Sequence, residues 1–141
     1  MPNFRDPRSI PSLMERIIAV ANYFTFGMVG FVWLILVALK KAKITPFLQY
    51  HIFQTFFTVM LFWLASVFIG LIAQILSFVP FINLLVVKII YYFNAPFFAG
   101  KYSIVSSAIS LIVLYLCLTS FQGKYSYLPW ISPIIRKNIR G

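Results

Sequence analysis

Acidic residues are almost absent from this 141-residue chain. Asp6 and Glu15 are the only two, and charged residues of both signs make up only 10% of the sequence. A soluble domain usually carries about a quarter charged residues, so this chain lacks the polar surface that a water-facing globule needs. Hydrophobic residues account for 62%. The composition therefore predicts a single domain, most of whose surface faces lipid.

Histidine and cysteine are equally scarce, with one of each at His51 and Cys117. A lone cysteine excludes an internal disulfide and any metal site built from several cysteines, and a lone histidine has no further ligands with which to share a metal. Two acids near the N-terminus cannot supply a carboxylate pair within a membrane, and no glycine-rich phosphate loop is present. We expect neither an enzyme nor a bound cofactor or metal.

Basic residues are the one plentiful charged type, and they give the chain a net charge of +10. The twelve, most of which lie at the ends of apolar runs, are Arg5, Arg8, Arg16, Lys40, Lys41, Lys43, Lys88, Lys101, Lys124, Arg136, Lys137 and Arg140. There they can reach the anionic headgroups of a lipid bilayer, the expected partner. Nucleic acid is not expected, because no basic face with interleaved aromatic residues occurs outside the apolar segments.

The apolar runs predict an all-α fold, a multi-pass membrane bundle of four transmembrane helices. The predicted spans are residues 17–39, 45–76, 81–98 and 102–121. The first is too long for a signal-peptide core, and Lys40, Lys41 and Lys43 end it. The nearly uncharged stretch 44–87 would be about 66 Å long as one helix, roughly twice the hydrocarbon thickness, so we expect it to break at Pro80.

The positive-inside rule orients this arrangement. With four spans, seven basic residues share a side with both chain ends, and four lie opposite: Lys40, Lys41, Lys43 and Lys101. If the third span only lies in the interface, the counts become five and seven and the tails change sides. We expect both termini on the cytoplasmic or stromal side, and three regions: an N-terminal tail (1–16), the transmembrane domain (17–122) and a basic C-terminal tail (123–141).

The C-terminal tail carries the pattern of a short interfacial helix. Ser132 and Pro133 are typical of a cap and a first turn, and the residues that follow divide into two sides. Ile134, Ile135 and Ile139 project to one side, and Arg136, Lys137 and Arg140 project to the other. This is a basic amphipathic helix on the membrane surface, preceded by Tyr125, Tyr127 and Trp130 in the aromatic belt. The alternative is a frayed basic tail.

Polar residues form stripes inside three of the spans. The stripes are His51, Gln54, Thr55 and Thr58 in span two, Ser103, Ser106, Ser107, Ser110 and Cys117 in span four, and Asn22 with Gly30 in span one. Such stripes usually mark the seams where helices pack, and a substrate path is the alternative. His51 could be hydrogen-bonded within the bundle or respond to protons. Lys88 could mark a polar cavity or extend to the headgroups.

Three short segments, taken in order, resemble a known family. The segments are Glu15-Arg16-Ile17-Ile18-Ala19, Phe47-Leu48-Gln49-Tyr50-His51-Ile52-Phe53-Gln54 and Gly123-Lys124-Tyr125-Ser126-Tyr127-Leu128-Pro129-Trp130-Ile131-Ser132. Their residue types and order are similar to those of the Tic-twenty family of the chloroplast inner-envelope import translocon and its small bacterial relatives. The resemblance implies four membrane helices, both ends on the stromal or cytoplasmic side, and for plastid members a place in the preprotein-conducting translocon. The motif-like residues are Glu15, Arg16, His51, Gln54, Gly123, Lys124 and Pro129.

Three functional hypotheses follow. The first is a non-enzymatic subunit of a membrane assembly related to protein transport, with membrane-protein partners or further copies of itself. The second is a small transporter or ion-coupled channel that uses His51, Gln54 and Lys88. The third is an envelope-organising or lipid-binding protein. With no transit peptide evident, we expect a bacterial inner membrane or a plastid inner-envelope or thylakoid membrane.

Overall fold

The computed structural model describes residues 10–96 and 103–138. Six helices make up this part of the chain: α1 (Leu13–Phe24), α2 (Met28–Ala38), α3 (Pro46–Leu76), α4 (Pro80–Asn94), α5 (Ile104–Phe121) and α6 (Ile131–Asn138). The described residues contain no β-strand. The predicted all-α class is therefore confirmed.

The predicted first span is wrong as a single helix, because the structure divides residues 17–39 between α1 and α2. α1 starts earlier than predicted, at a capping box in which Glu15 N donates to Ser12 Oγ (3.3 Å) and Ser12 N donates to Glu15 Oε2 (2.7 Å). Between the helices, Phe26 (φ 52°) and Gly27 (φ 98°) adopt left-handed conformations. A right-handed helix cannot continue through two such residues.

The second predicted span corresponds to α3, which ends at Leu76 as predicted and begins at Pro46, one residue after the predicted start. Thr45 precedes the helix: its Oγ1 accepts a hydrogen bond from Leu48 N (3.4 Å), and its carbonyl accepts one from Gln49 N (2.9 Å). Proline suits a first helical position because it has no N–H to leave unsatisfied. At 31 residues, α3 is about 46 Å long.

The third and fourth predicted spans correspond to α4 and α5. α4 begins at Pro80 and ends at Asn94, because Ala95 is extended (ψ 142°) ahead of Pro96. The predicted end of that span, Phe98, lies outside the described residues, as does Tyr102, the predicted start of the fourth. α5 ends at Phe121, as predicted.

Two of these helices, α3 and α5, are long and apolar enough to cross a membrane. α2 and α4 are also apolar but have 11 and 15 residues, fewer than the roughly 20 that a crossing takes. By length and composition, the structure therefore supports a helical protein associated with a membrane.

A C-terminal helix is present where the sequence predicts one, but its contacts differ. α6 begins at Ile131, so Ser132 lies inside its first turn and does not precede it. Ile131 and Ile135 are buried against Tyr50 of α3, whereas Ile134 is half exposed. Part of the apolar side of α6 therefore packs on protein. The predicted contribution of Ile139 lies outside the described residues.

The chain divides into two compact units. Of the described residues, 10–59 and 115–138 belong to the first unit, and 60–96 and 103–114 belong to the second. Every buried side chain in the described part of the chain lies in the first unit. The second unit consists of the later part of α3, α4 and the earlier part of α5, and its apolar side chains point outward.

Candidate functional site

The polar stripe of α3 lies in the interior of the first unit. His51 and Gln54 are fully buried, and Thr55 and Thr58 are nearly so. Residues three and four apart share one face of a helix, which explains why these four side chains point in the same general direction. Thr55 Oγ1 and Thr58 Oγ1 also donate to the carbonyls of His51 (2.8 Å) and Gln54 (2.7 Å).

His51 is held by hydroxyl groups from two other helices. Tyr23 Oη of α1 lies 2.7 Å from His51 Nδ1, and Ser120 Oγ of α5 lies 3.2 Å from the same nitrogen. The Tyr23 hydroxyl donates its proton to Gln54 Oε1 (2.8 Å), and the Ser120 hydroxyl donates its proton to the Leu116 carbonyl (2.7 Å). Nδ1 therefore lies within hydrogen-bond distance of two hydroxyl groups, and the tautomer of the ring sets which atom of each contact carries the proton.

The opposite ring nitrogen of His51 is different. Nε2 is buried and meets no partner at standard hydrogen-bond geometry among the described residues, although the ring also interacts with the backbone of Lys124. Aromatic rings surround the imidazole: Phe47 at 4.4 Å between ring centroids, Tyr50 at 5.4 Å, and Tyr125 at 6.2 Å in a stacked orientation. These separations are typical of, or just below, those of interacting aromatic pairs. His51 is thus a buried packing residue whose Nδ1 is hydrogen-bonded to side chains of two other helices.

Gln54 and Tyr50 connect α3 to the segment that follows α5. Ser126 Oγ donates to Gln54 Oε1 (2.7 Å), and the Tyr50 hydroxyl lies within hydrogen-bond distance of both the Ser126 carbonyl (2.7 Å) and Ser132 Oγ (2.9 Å). Leu128 N donates to Ser132 Oγ (2.8 Å). The segment after α5 is therefore fixed to α3 by buried side chains at several points.

Asn22 connects α1, α2 and α3. Its Nδ2 donates to Thr55 Oγ1 (2.7 Å) and reaches the His51 carbonyl (3.4 Å), and its Oδ1 accepts from Gly30 N (2.8 Å). A β-carbon added to Gly30 would lie 2.3 Å from Asn22 Oδ1 and 3.1 Å from Ile52 Cγ2. The contact between α1 and α2 therefore requires glycine at this position.

The first of the motif-like segments meets the third at Gly123. A β-carbon on Gly123 would lie 3.0 Å from Arg16 Nε and 3.1 Å from the ring of Pro11, and Gly123 has φ 71°, which favours glycine. Arg16 Nε donates to the Pro11 carbonyl (3.1 Å). Nearby, burial raises the pKa of Tyr125 above its ordinary value, and the charge of Glu15 and the phenol of Tyr50 raise it further.

The structure thus brings together residues from all three motif-like segments. We call the set of buried polar side chains the polar cluster; its members are Asn22, Tyr23, Tyr50, His51, Gln54, Thr55, Ser120, Ser126 and Ser132. Lys124 and Pro129 lie beside it but are exposed. Nearly every donor and acceptor in the cluster meets a partner inside the protein, so its evident chemical role is to fix the helices that supply them.

Other predicted site residues lie elsewhere. Lys88 is exposed on α4, in the second unit. Ser103 and Ser106 bond to each other at the start of α5, and Ser110 Oγ donates to the Ser106 carbonyl (2.8 Å). Ser107 is half-buried. Among the described residues, the hydrogen bonds of these serines lie within their own segment, so the predicted seam along α5 stays a prediction.

Sequence reasoning missed Tyr23 and Ser120 as members of the site. Tyr23 carried a usable signal, because a tyrosine within an apolar run needs a partner for its hydroxyl and its neighbour Asn22 has the same need. For Ser120, the sequence contained no signal other than the residue type. Among the described residues, no group of three histidine, cysteine or acidic side chains comes together in a way that could hold a metal ion.

Comparisons of the chain with family models, curated proteins and solved structures find no match. What can be inferred about function therefore depends on the geometry of the two units and on the sequence.

Proposed function

We propose that this chain is a non-enzymatic, multi-pass membrane protein and a subunit of a membrane assembly, similar in role to Tic-twenty subunits of a protein-import translocon. One observation carries the proposal: the three segments on which the resemblance depends meet in one place. Arg16 meets Gly123, and Gln54 bonds Ser126. Segments that are far apart in the chain but adjacent in the fold are what a shared family architecture requires.

The second unit supplies independent support for membrane embedding. None of its described side chains is buried, and its outward residues include Phe68, Ile72 and Leu84. Contiguous apolar surface on this scale needs lipid or protein to cover it. We propose that α3 and α5 cross the bilayer. α4 is too short for a crossing by itself, so this proposal replaces the four crossings predicted from the sequence with two full ones.

The face of α3 that contains Ser66 and Gly70 is the best place to look for a partner helix. These two small residues lie one turn apart, and a β-carbon on Gly70 would meet no atom within 4 Å. Small residues at this spacing allow another helix to approach closely. Phe68 lies on the other side of the same helix and is exposed, so it provides a matched control that faces lipid.

Site-specific photocrosslinking in native membranes tests the proposal. A photoreactive residue at Ser66 should give adducts with a membrane protein, a second copy of this chain or a polypeptide in transit, and one at Phe68 should give mainly lipid adducts. Position 54 is unsuitable because Gln54 is fully buried. Recovery of lipid adducts and monomer alone from both positions would contradict a role in an assembly.

The transporter hypothesis gains no support from the contacts. It uses His51, Gln54 and Lys88, of which the first two are buried in the hydrogen-bonded polar cluster and Lys88 is exposed on α4. The lipid-organising hypothesis depends on the C-terminal tail, and Ile131 and Ile135 of that tail pack on protein. No observation favours either alternative over a subunit of an assembly.

A further inference from the structure

The segment predicted as the first membrane span folds back on itself. Gly30 N donates to Asn22 Oδ1 at 2.8 Å, although residues eight apart in one continuous helix are about 12 Å apart. The reversal occurs at residues 25–27, between α1 and α2. We call residues 13–38 the α1–α2 hairpin.

The hairpin runs beside only the first turns of α3. At its tip, a β-carbon on Gly27 would lie 3.5 Å from the Phe56 ring, and on the returning helix one on Gly30 would lie 3.1 Å from Ile52. Further along α2, Trp33 and Leu34 pack on the cluster that contains Phe47 and Leu48, near the start of α3. The distance along α3 from Phe56 back to Pro46 is about 15 Å, roughly half the hydrocarbon thickness of a bilayer.

The tip of the hairpin is apolar and exposed. Phe24 is 78% exposed, Phe26 61%, Met28 67% and Phe31 55%. The three lysines Lys40, Lys41 and Lys43 follow α2 at once, and all are exposed. A hairpin with an apolar tip and lysines at its open end suits one leaflet of a bilayer, because acyl chains solvate the tip and anionic headgroups attract the lysines.

The backbone of the turn also suits an environment without water. Gly27 N donates to the Asn22 carbonyl (2.8 Å), Phe26 N to the Tyr23 carbonyl (3.2 Å) and Met28 N to the Thr25 carbonyl (3.2 Å). Val29 N donates to Thr25 Oγ1 (3.2 Å). Irregular backbone is tolerated at membrane depth only when its N–H groups are satisfied from within the protein. A turn in water does not need this.

We propose that the α1–α2 hairpin is re-entrant, with its tip among the acyl chains of one leaflet and both ends on the side of the chain termini. This rests on the proposed crossings of α3 and α5. Because Arg16 touches Gly123, the start of α1 and Lys124 share that side, and the hairpin returns Lys40–Lys43 to it. Seven of the eight basic residues that the structure describes then lie on one side, with Lys88 the exception, as the positive-inside rule favours.

Sided cysteine labelling tests the proposal on the full-length protein. In a Cys117→Ser background, the single-cysteine variants Lys41→Cys, Lys124→Cys and Ser77→Cys are treated with a membrane-impermeant maleimide in sealed vesicles of known orientation. All three positions are exposed. We expect positions 41 and 124 to react from the same face and position 77 to react from the opposite face.

Two outcomes would overturn the proposal, and they are distinguishable. Reaction of position 41 from the same face as 77 and opposite 124 would show that residues 17–39 cross the membrane fully, while leaving the crossings of α3 and α5 intact. Reaction of positions 77 and 124 from one face would remove the crossings themselves and with them the membrane arrangement of the proposed function.

A second measurement separates insertion of the tip from mere reversal of the chain. A nitroxide attached to Phe26→Cys in reconstituted membranes should be relaxed more by oxygen, which partitions into lipid, than by a water-soluble nickel complex. A nitroxide at Lys41→Cys should show the opposite order. Greater relaxation by the nickel complex at both positions would place the hairpin in water and overturn the proposal.

Discussion

The contact between Gly30 and Asn22 gives the sharpest stability prediction. In Gly30→Ala, the new methyl group would begin 2.3 Å from Asn22 Oδ1 and 3.1 Å from Ile52 Cγ2, so the Asn22 side chain must move. Its bonds to Gly30 N and Thr55 Oγ1 (2.8 and 2.7 Å) would be lost, leaving a buried amide unsatisfied, which costs about 1–3 kcal/mol. Overpacking adds about 1–3 kcal/mol.

We therefore expect Gly30→Ala to lower the free energy of unfolding by about 2–6 kcal/mol. Gly70→Ala is the matched control, because a β-carbon there meets nothing within 4 Å; it should leave stability unchanged or raise it by up to about 1 kcal/mol through helix propensity. Equilibrium unfolding of the purified protein in mixed micelles measures both. A Gly30→Ala protein as stable as Gly70→Ala would refute the geometry.

A double-mutant cycle tests whether the destabilisation by Gly30→Ala arises from its contact with Asn22. Removing the Asn22 side chain first makes room for the methyl group, so Asn22→Ala combined with Gly30→Ala should be less destabilised than the sum of the two single variants. We expect a coupling of at least about 1 kcal/mol, as found for residues in direct contact. Additive effects would mean that Asn22 and Gly30 do not touch.

Three further predictions use the same assay. Tyr23→Phe removes the hydroxyl that contacts Gln54 and His51 and should lower the free energy of unfolding by about 1–3 kcal/mol. Tyr91→Phe, at an exposed position, should change it little. Equal effects of the two substitutions would count against the polar cluster. Ile135→Ala should lower the free energy of unfolding by about 2–4 kcal/mol and make α6 susceptible to proteolysis, whereas Ile134→Ala should do neither. If α6 resists proteolysis equally in both variants, the packing of Ile135 on Tyr50 is excluded. Because burial raises the pKa of Tyr125, its neutral form is favoured in the fold, so stability should fall as the pH rises above about 10. Tyr125→Phe should reduce that loss, and an unchanged pH dependence in this variant would contradict the burial of the ring.

The sequence predicted the parts of the fold that depend on apolar length and on proline. The end of α3 follows from the break before Pro80, and α6 follows from the pattern after Trp130. Periodicity could not reveal the break between α1 and α2, because residues 17–39 are mostly apolar and a hairpin and a straight helix bury similar residue types. What distinguishes the hairpin from a straight helix is that the buried Asn22 amide needs hydrogen-bond partners, which Gly30 and Thr55 supply.

The candidate site was predictable in its α3 part and not in the rest. His51, Gln54, Thr55 and Thr58 lie on one helical face, so the sequence could identify them as a set. Their partners Tyr23, Ser120 and Ser126 come from segments whose contacts depend on tertiary packing, which no local pattern encodes. The resemblance associated three segments by their order alone, and the contact between Arg16 and Gly123 is a physical link that this order does not contain.

The central claim is that separate segments meet at His51 in a closed hydrogen-bonded cluster. Because the chain has one histidine, nitrogen-15 NMR of selectively labelled protein in lipid bilayers reports on this ring alone. The contacts of Nδ1 with Tyr23 and Ser120 predict a ring held in a single tautomer with a hydrogen-bonded Nδ1, and they predict that Tyr23→Phe changes the Nδ1 signal. The averaged spectrum of a solvent-exposed imidazole, or an Nδ1 signal that Tyr23→Phe does not alter, would contradict the cluster.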